Sequence, residues 1–341
     1  MKGKVLLTGI SGFLGSHTAI HLLENGYEVT GTLRSLDRAE ALRTLLARHT
    51  RQVDYLRFAQ AELTDEHVWR DLTKGMDYVQ HVASPNPREL PKNEDELIRP
   101  AVSGVLHVLR AAAANGVKRV VLTSSSSAVM YGRPEGRESG VYDESMWTDA
   151  ANRADNTAYY RSKTLAEKAA WDFMATDTSG LELSAVLPGL ILGPVLEEDF
   201  GNSANAVLKL LDGSMPAVPA MGFDVVDVRS VADLLLRAME QPAAAGQRFL
   251  GTAGFLTLAQ VAALLRTRFP GRQIPRRVLP NVLTRVLSWF DPAIRPILVD
   301  LGRQRQGDNR KAWQLLHWQP LGPEQAVIAC AESLLALGLV N

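Results

Sequence analysis

Apolar and polar positions along this chain follow two rhythms that take turns. A short apolar run at 4–7 leads into Thr8-Gly9, and apolar residues then recur at helical spacing over 13–24. Strand character returns at 27–33. The same alternation predicts helix 37–48, strand 53–58, helix 65–73, strand 77–82, helix 94–115, strand 119–123, helix 157–175 and strand 182–187. Parallel neighbours need a crossover long enough for a helix, so the pattern predicts an α/β fold, a Rossmann-type doubly wound parallel sheet with helices on both faces. After Pro188 the rhythm breaks into turns and a helix onset. One more short strand and helix follow within 221–242, then a last strand at 246–250 and a helix at 257–268. A stretch with Pro270, Pro275 and Pro280 comes next, and a helix over 322–337 closes the chain. The expected organisation is a sheet domain over 1–187 with a returning segment at about 222–252. A smaller C-terminal α/β lobe for substrate takes 188–221 and 253–341.

Composition narrows the class. Apolar residues make up 46% and charged residues 22%, and Lys plus Arg balances Asp plus Glu at 37 each, so no overall field favours nucleic acid or an anionic surface. Cys330 is the single cysteine, which excludes an intrachain disulfide and a cysteine metal cluster. The seven histidines are scattered and no HExxH or clustered carboxylates occur, so no metal is expected. The N-terminus lacks a signal-peptide pattern, and the most apolar late stretch, 278–302, carries Arg285, Asp291, Arg295 and prolines. A cytoplasmic protein without a membrane span is expected.

The turn T8-G9-I10-S11-G12-F13-L14-G15 sits where the first strand hands over to the first helix. Gly9 permits a tight turn, Gly12 lets backbone approach a pyrophosphate, and Gly15 lets the helix pack closely on the sheet. Such a turn also occurs as a mere connection; at the first strand of a repeating βα pattern it points to an NAD(P)-binding domain. The second strand ends in TLRSLDR, without the carboxylate that would bind an NAD ribose. Arg34, with Arg38, offers cationic forks for a 2′-phosphate, which points to NADP(H) over NAD(H). Glu62-Leu63 and Val82-Ala83-Ser84 follow later strands, at the edge where such sheets collect a ligand.

In TAYYRSK, Tyr159 and Lys163 are four apart and share a helix face; Tyr160 and Lys163 are three apart and also within reach. Spacing therefore ranks the two tyrosines without choosing between them. An ammonium beside a phenol lowers its pKa toward working pH, which suits a general acid acting on a carbonyl oxygen. The serines 124–127 follow the fifth strand, where one hydroxyl can polarise a substrate carbonyl and the others cap or turn the chain. No GxSxG is present, and neither His81 nor His107 has an evident catalytic partner, which excludes a serine hydrolase.

Taken together, TGISGFLG, TSSSS, YYRSK and LPGLILGP resemble the extended short-chain dehydrogenase/reductases, a part of the NAD-dependent epimerase/dehydratase family. HVASPNP, VYDESMWTD and YYRSKTLAEKAAW resemble, more narrowly, the dihydroflavonol 4-reductase-like group, which includes cinnamoyl-CoA reductases and microbial aldehyde or ketone reductases. The resemblance implies Ser125, Tyr159 and Lys163 as the catalytic set, with Lys163 also on the nicotinamide ribose. It puts Pro188, Gly189 and Leu190 near the nicotinamide, Arg34 on the 2′-phosphate, and Thr8, Gly9, Gly12, Phe13 and Leu14 at the pyrophosphate. Two positions depart from the plant flavonoid enzymes: Met130 stands where they have asparagine, and Glu62 replaces an aspartate near the adenine.

The expected activity is NADPH-dependent reduction of an aldehyde or ketone to an alcohol, with a small-molecule carbonyl substrate and a monomer or homodimer. Substrate contacts are expected from residues 85–91, from Met130 and Tyr131, and from the lobe around Leu192 to Val218. A nucleotide-sugar epimerase or dehydratase holding NAD tightly, and a non-catalytic dinucleotide sensor, are the competing expectations.

Overall fold

The computed structural model describes residues 1–85, 91, 93–198, 201 and 203–340, apart from the side chains of 292 and 293. Seven strands, β1 (Gly3–Thr8), β2 (Tyr27–Leu33), β3 (Leu56–Gln60), β4 (Tyr78–His81), β5 (Arg119–Thr123), β6 (Glu182–Pro188) and β7 (Gln247–Gly251), form one parallel sheet. Their order is β7-β6-β5-β4-β1-β2-β3, so chain order reverses between β1 and β4. The carboxyl ends at that switch point form the crevice where such sheets bind their ligands.

The strands read as continuous apolar runs because both faces are covered. On one face, helices Phe13–Glu24 and Val228–Glu240 pack with Trp318 over Val5, Leu7, Val29 and Phe249. On the other, helices Asp95–Ala114 and Ala158–Met174 set Ala101, Val105, Val108, Ala166 and Ala170 against Leu6, Val79 and Val120. Asp95–Ala114 is long and apolar enough to cross a bilayer, yet its buried stripe packs within this core.

Three differences from the periodicity have physical causes. Residues Val53–Tyr55 form a 3-10 turn instead of a strand start, because the Arg43 guanidinium donates to the carbonyls of Val53 (3.0 Å) and Leu56 (2.9 Å) and draws the turn onto helix Ala39–Ala47. Strand Gly222–Asp227 does not join the main sheet. It pairs with Leu190–Leu192 and Gly254–Thr257 in a separate three-stranded sheet of the lobe, so the returning segment consists of helix Val228–Glu240 and β7. Two pairs of three-residue strands, Gly140–Tyr142 with Arg305–Gly307 and Ala217–Pro219 with Arg277–Leu279, are too short for any period to betray them.

Candidate active site

The glycine turn has the conformation its residues require. Gly9 has φ +71°, a left-handed backbone that suits glycine. A Cβ on Gly15 would sit 2.1 Å from the Gly9 carbonyl oxygen, so this glycine is needed for the helix to approach the turn. Gly12 differs: a Cβ there would meet only the Gly9 carbonyl oxygen, at 3.5 Å. The protein leaves that space open. Helix Phe13–Glu24 starts there with no side-chain cap, so the N–H groups of Phe13 and Leu14 face the crevice as donors for an anion. The residues present therefore fit a dinucleotide pyrophosphate.

Thr8 has a structural part at this turn. It is fully buried, its Oγ1 accepts from the Ala83 N–H (2.9 Å), and its one hydroxyl proton is left for His81 Nδ1 (3.0 Å). Thr8 thus joins β1 to the end of β4 and shapes the turn. Val82, Ala83 and Ser84 are half-buried at that edge, and Leu63 packs against Gly104. Glu62 is exposed, and its carboxylate accepts from the Leu63 N–H (3.0 Å). At the end of β2, Arg34 is exposed, whereas Arg38 is held by both carboxylate oxygens of Glu197 (2.8 and 2.9 Å). One guanidinium nitrogen of Arg38 is engaged by Glu197, which leaves Arg34 as the more exposed of the two expected 2′-phosphate partners.

The four serines separate cleanly. Ser124 is buried and donates to Glu167 Oε2 (2.6 Å), and Ser127 is buried and donates to Ser125 Oγ (2.9 Å). Ser125 and Ser126 are the accessible two. Ser126 precedes the short helix Ser127–Met130 without a side-chain cap and ties to β6 through its N–H on the Pro188 carbonyl (2.8 Å). Ser125 Oγ accepts from both the N–H (3.2 Å) and the hydroxyl of Ser127, so its own proton is free to be donated.

Helix Ala158–Met174 is tied to the end of β5 at two levels. Lys163 Nζ donates to the Thr123 carbonyl (3.4 Å), and Glu167, one turn on, takes the Ser124 hydroxyl. Sequence reasoning missed Glu167 and its partner Arg248. The Arg248 guanidinium binds Glu167 at 2.6 and 3.2 Å, reaches the carbonyls of Glu144 and Met146, and lies 3.6 Å over the Trp147 ring. The signal was a glutamate four residues after Lys163 on the same face.

Electrostatics at the site are dominated by burial. Burial brings Lys163 down to about 8, with the Glu167 charge opposing, and takes His81 down to about 3, helped by Lys163. Tyr159 is half-buried, and burial pushes its hydroxyl up to about 12. The expected lowering of Tyr159 by Lys163 is therefore absent in the free protein: the ammonium points to Thr123, and desolvation acts on the phenol unopposed. Tyr160 is set apart by its partners. It stacks on Tyr131 with ring centroids 4.0 Å apart, and its hydroxyl, like that of Tyr131, binds Asp300 from the lobe (3.1 and 2.8 Å).

A cavity of about 40 Å³ lies next to the serine loop, walled by Ser126, Met130, Tyr131, Leu190, Asp224 and Asp300, with Arg303 and Arg305 behind them. Burial raises both Asp224 and Asp300 to about 6. Its lobe wall comes from 222–224 and 300–305. The expected stretch Leu192 to Val218 instead puts Leu192, Val195, Val207, Leu210, Leu211 and Val218 into the lobe core. Of the expected loop 85–91, residues 86–90 lie outside the described residues. Pro188 is buried, and Gly189 is required because a Cβ would sit 2.1 Å from the Asp224 carbonyl oxygen. Leu190 is half-buried on the cavity. Among the described residues no group of histidines, cysteines and carboxylates could hold a metal.

A glycine turn at the switch point of a parallel sheet, with Ser, Tyr and Lys at neighbouring strand and helix ends, defines a nucleotide-binding oxidoreductase of the extended short-chain dehydrogenase/reductase type. Residues 5–250 match the NAD dependent epimerase/dehydratase family, and the chain belongs to it. Tetraketide alpha-pyrone reductase 1 of Arabidopsis thaliana is 37% identical over 279 residues, 81% of this chain and 84% of that one. Dihydroflavonol 4-reductase of Zea mays is 35% identical over 285 residues, 81% and 77% of the two chains. Among solved structures, yeast methylglyoxal/isovaleraldehyde reductase Gre2 complexed with NADPH superposes with a TM-score of 0.81 at 26% identity, over 98% of this chain and 99% of that one.

Proposed function

We propose that this protein is an NADPH-dependent reductase that converts an aldehyde or ketone to an alcohol, with Ser125, Tyr159 and Lys163 as its catalytic residues. The observation that carries the reading is the contact of Lys163 with the Thr123 carbonyl, which joins the helix bearing Tyr159 to the strand end bearing Ser125. Bound NADPH supplies the hydride. The first-turn N–H groups of Phe13 and Leu14 would hold its pyrophosphate, Arg34 its 2′-phosphate, Lys163 its ribose hydroxyls, and Pro188 to Leu190 its nicotinamide end.

Ser125 donates a hydrogen bond through its uncommitted hydroxyl to the substrate oxygen and fixes the carbonyl, keeping its own proton. Tyr159, kept neutral by burial, hands its proton to that oxygen as negative charge builds there. The Lys163 ammonium, charged below about pH 8, stabilises the phenolate left behind. Relatives named as reductases of pyrones, dihydroflavonols and small aldehydes support the carbonyl class. The buried, apolar Met130 on the cavity argues against a flavonoid whose ring hydroxyls need an amide partner.

The test follows NADPH oxidation by its near-ultraviolet absorbance against aldehydes, diketones, flavonoids and sugar nucleotides, with NADH in parallel. Turnover of a carbonyl compound is expected, with NADPH preferred. Faster turnover with NADH would overturn the role of Arg34, and a Tyr159→Phe variant of undiminished activity would overturn the mechanism. Nicotinamide absorbance retained on the purified protein, with no net oxidation of added NADPH, would point to an epimerase instead.

A further inference from the structure

Helix Asn281–Phe290 is built inside out. Thr284 and Ser288, one turn apart, are 2% and 3% exposed, so the hydroxyl face lies against the protein. Their hydroxyls donate back to the carbonyls of Pro280 (3.4 Å) and Arg285 (2.7 Å). The apolar face points outward: Val282 is 75%, Trp289 74% and Phe290 80% exposed, and Leu283, Val286 and Leu287 are exposed beside them. At 100° per residue these six fall within about 160° of the helical wheel, opposite Thr284 and Ser288. A helix of a globular protein ordinarily turns its apolar stripe to the core. A contiguous apolar face left in water marks a docking surface.

The charge around this face identifies its occupant. Residues 276–295 carry four arginines, Arg276, Arg277, Arg285 and Arg295, against the single Asp291, in a chain whose net charge is zero. All four arginines are exposed. We propose that this helix docks on the surface of an anionic lipid bilayer, with Trp289 and Phe290 inserted among the headgroups and the arginines on the lipid phosphates. Ten residues span about 15 Å, enough to lie in the interface and too short to cross the hydrocarbon. A second copy fits less well. So short a helix offers far less than the roughly 800 Å² per partner of a stable interface, and a twofold pairing would bring like arginines together.

The test is flotation of the full chain with vesicles of phosphatidylcholine alone or mixed with phosphatidylglycerol. The protein is expected to float with the mixed vesicles only and to be released by high salt. The double variant Trp289→Glu/Phe290→Glu and, separately, Arg276→Glu/Arg277→Glu should each lower the bound fraction by about tenfold, with the unfolding midpoint unchanged. Failure to float with either vesicle, or flotation that survives both variants, would overturn the proposal. So would a dimer in lipid-free solution that the aromatic variant converts to a monomer, because the face would then belong to a second copy.

Discussion

Replacing Lys163 with methionine should abolish turnover and stabilise the fold at neutral pH. The side chain is buried, and burial lowers it from 10.5 to about 8. At about 1.4 kcal/mol per pKa unit, holding the ammonium in the folded protein at pH 7 costs about 3 kcal/mol relative to the unfolded chain. Methionine has a similar length and fills the space without the charge; it gives up the long contact with Thr123, while the field of Glu167 is already contained in the fall to about 8. A net gain of about 1 to 3 kcal/mol remains. The pH dependence separates this cause from better packing. Between about 8 and 10.5 the unfolded chain binds more protons than the folded one, so the stability of the wild type rises with pH across that window. The advantage of the variant should therefore be constant below about pH 8 and vanish by 10.5. Urea unfolding of both proteins from pH 6 to 10.5 measures it. An advantage that stays constant through pH 10.5, or a variant less stable at pH 7, would refute the reasoning.

Other changes test other parts of the site. Tyr159→Phe should lower turnover by about 10²-fold or more, whereas Tyr160→Phe, which gives up one hydrogen bond to Asp300, should cost about 1 kcal/mol of stability and little activity; steady-state rates and thermal unfolding distinguish them. Arg34→Ala should raise the KM for NADPH by about tenfold or more and leave that for NADH nearly unchanged, as initial rates with both cofactors will show. Gly15→Ala forces a Cβ onto the Gly9 carbonyl and should destabilise the fold by about 1 to 3 kcal/mol, while Gly12→Ala, with room in the protein, should spare the unfolding midpoint and weaken dinucleotide binding in a fluorescence titration. Arg248→Met strands Glu167 as a buried charge and should cost about 3 to 5 kcal/mol in urea unfolding, part of which Glu167→Gln in the same chain restores.

The main sheet was legible because its strands are continuous apolar runs, because long helices such as Phe13–Glu24, Asp95–Ala114 and Ala158–Met174 separate several of them, and because the glycine turn sits at the first. The lobe was not. Its strands at Leu190–Leu192, Ala217–Pro219, Arg277–Leu279 and Arg305–Gly307 have three residues each, and its helix Asn281–Phe290 buries Thr284 and Ser288 in place of its apolar stripe. The stretch 192–218 was expected at the substrate because it reads as loops and helix ends, but its apolar residues serve the lobe core, and nothing local distinguishes a pocket lining from a core lining. Among site residues, spacing set Lys163 beside both Tyr159 and Tyr160 because all three lie on one helix, and the family resemblance chose Tyr159. Glu167 with Arg248, 81 residues apart, and Tyr160 with Asp300, 140 apart, are joined only by the tertiary fold.

That same distinction explains the adjacent tyrosines. Successive helix positions differ by about 100°, so the two side chains leave the helix in different directions and enter different surroundings. Tyr160 meets Tyr131 and Asp300, two fixed partners that engage its ring and its hydroxyl. Tyr159 meets the Tyr160 ring at an angle of 66° (centroids 6.1 Å apart), burial keeps its proton on, and its hydroxyl has no hydrogen-bond partner among the described residues. A hydroxyl committed to a buried carboxylate is poorly placed to deliver a proton elsewhere, and an uncommitted one is free to do so. The lobe therefore separates the two tyrosines: by engaging Tyr160 through Asp300, it leaves the Tyr159 hydroxyl available for the role of acid proposed above.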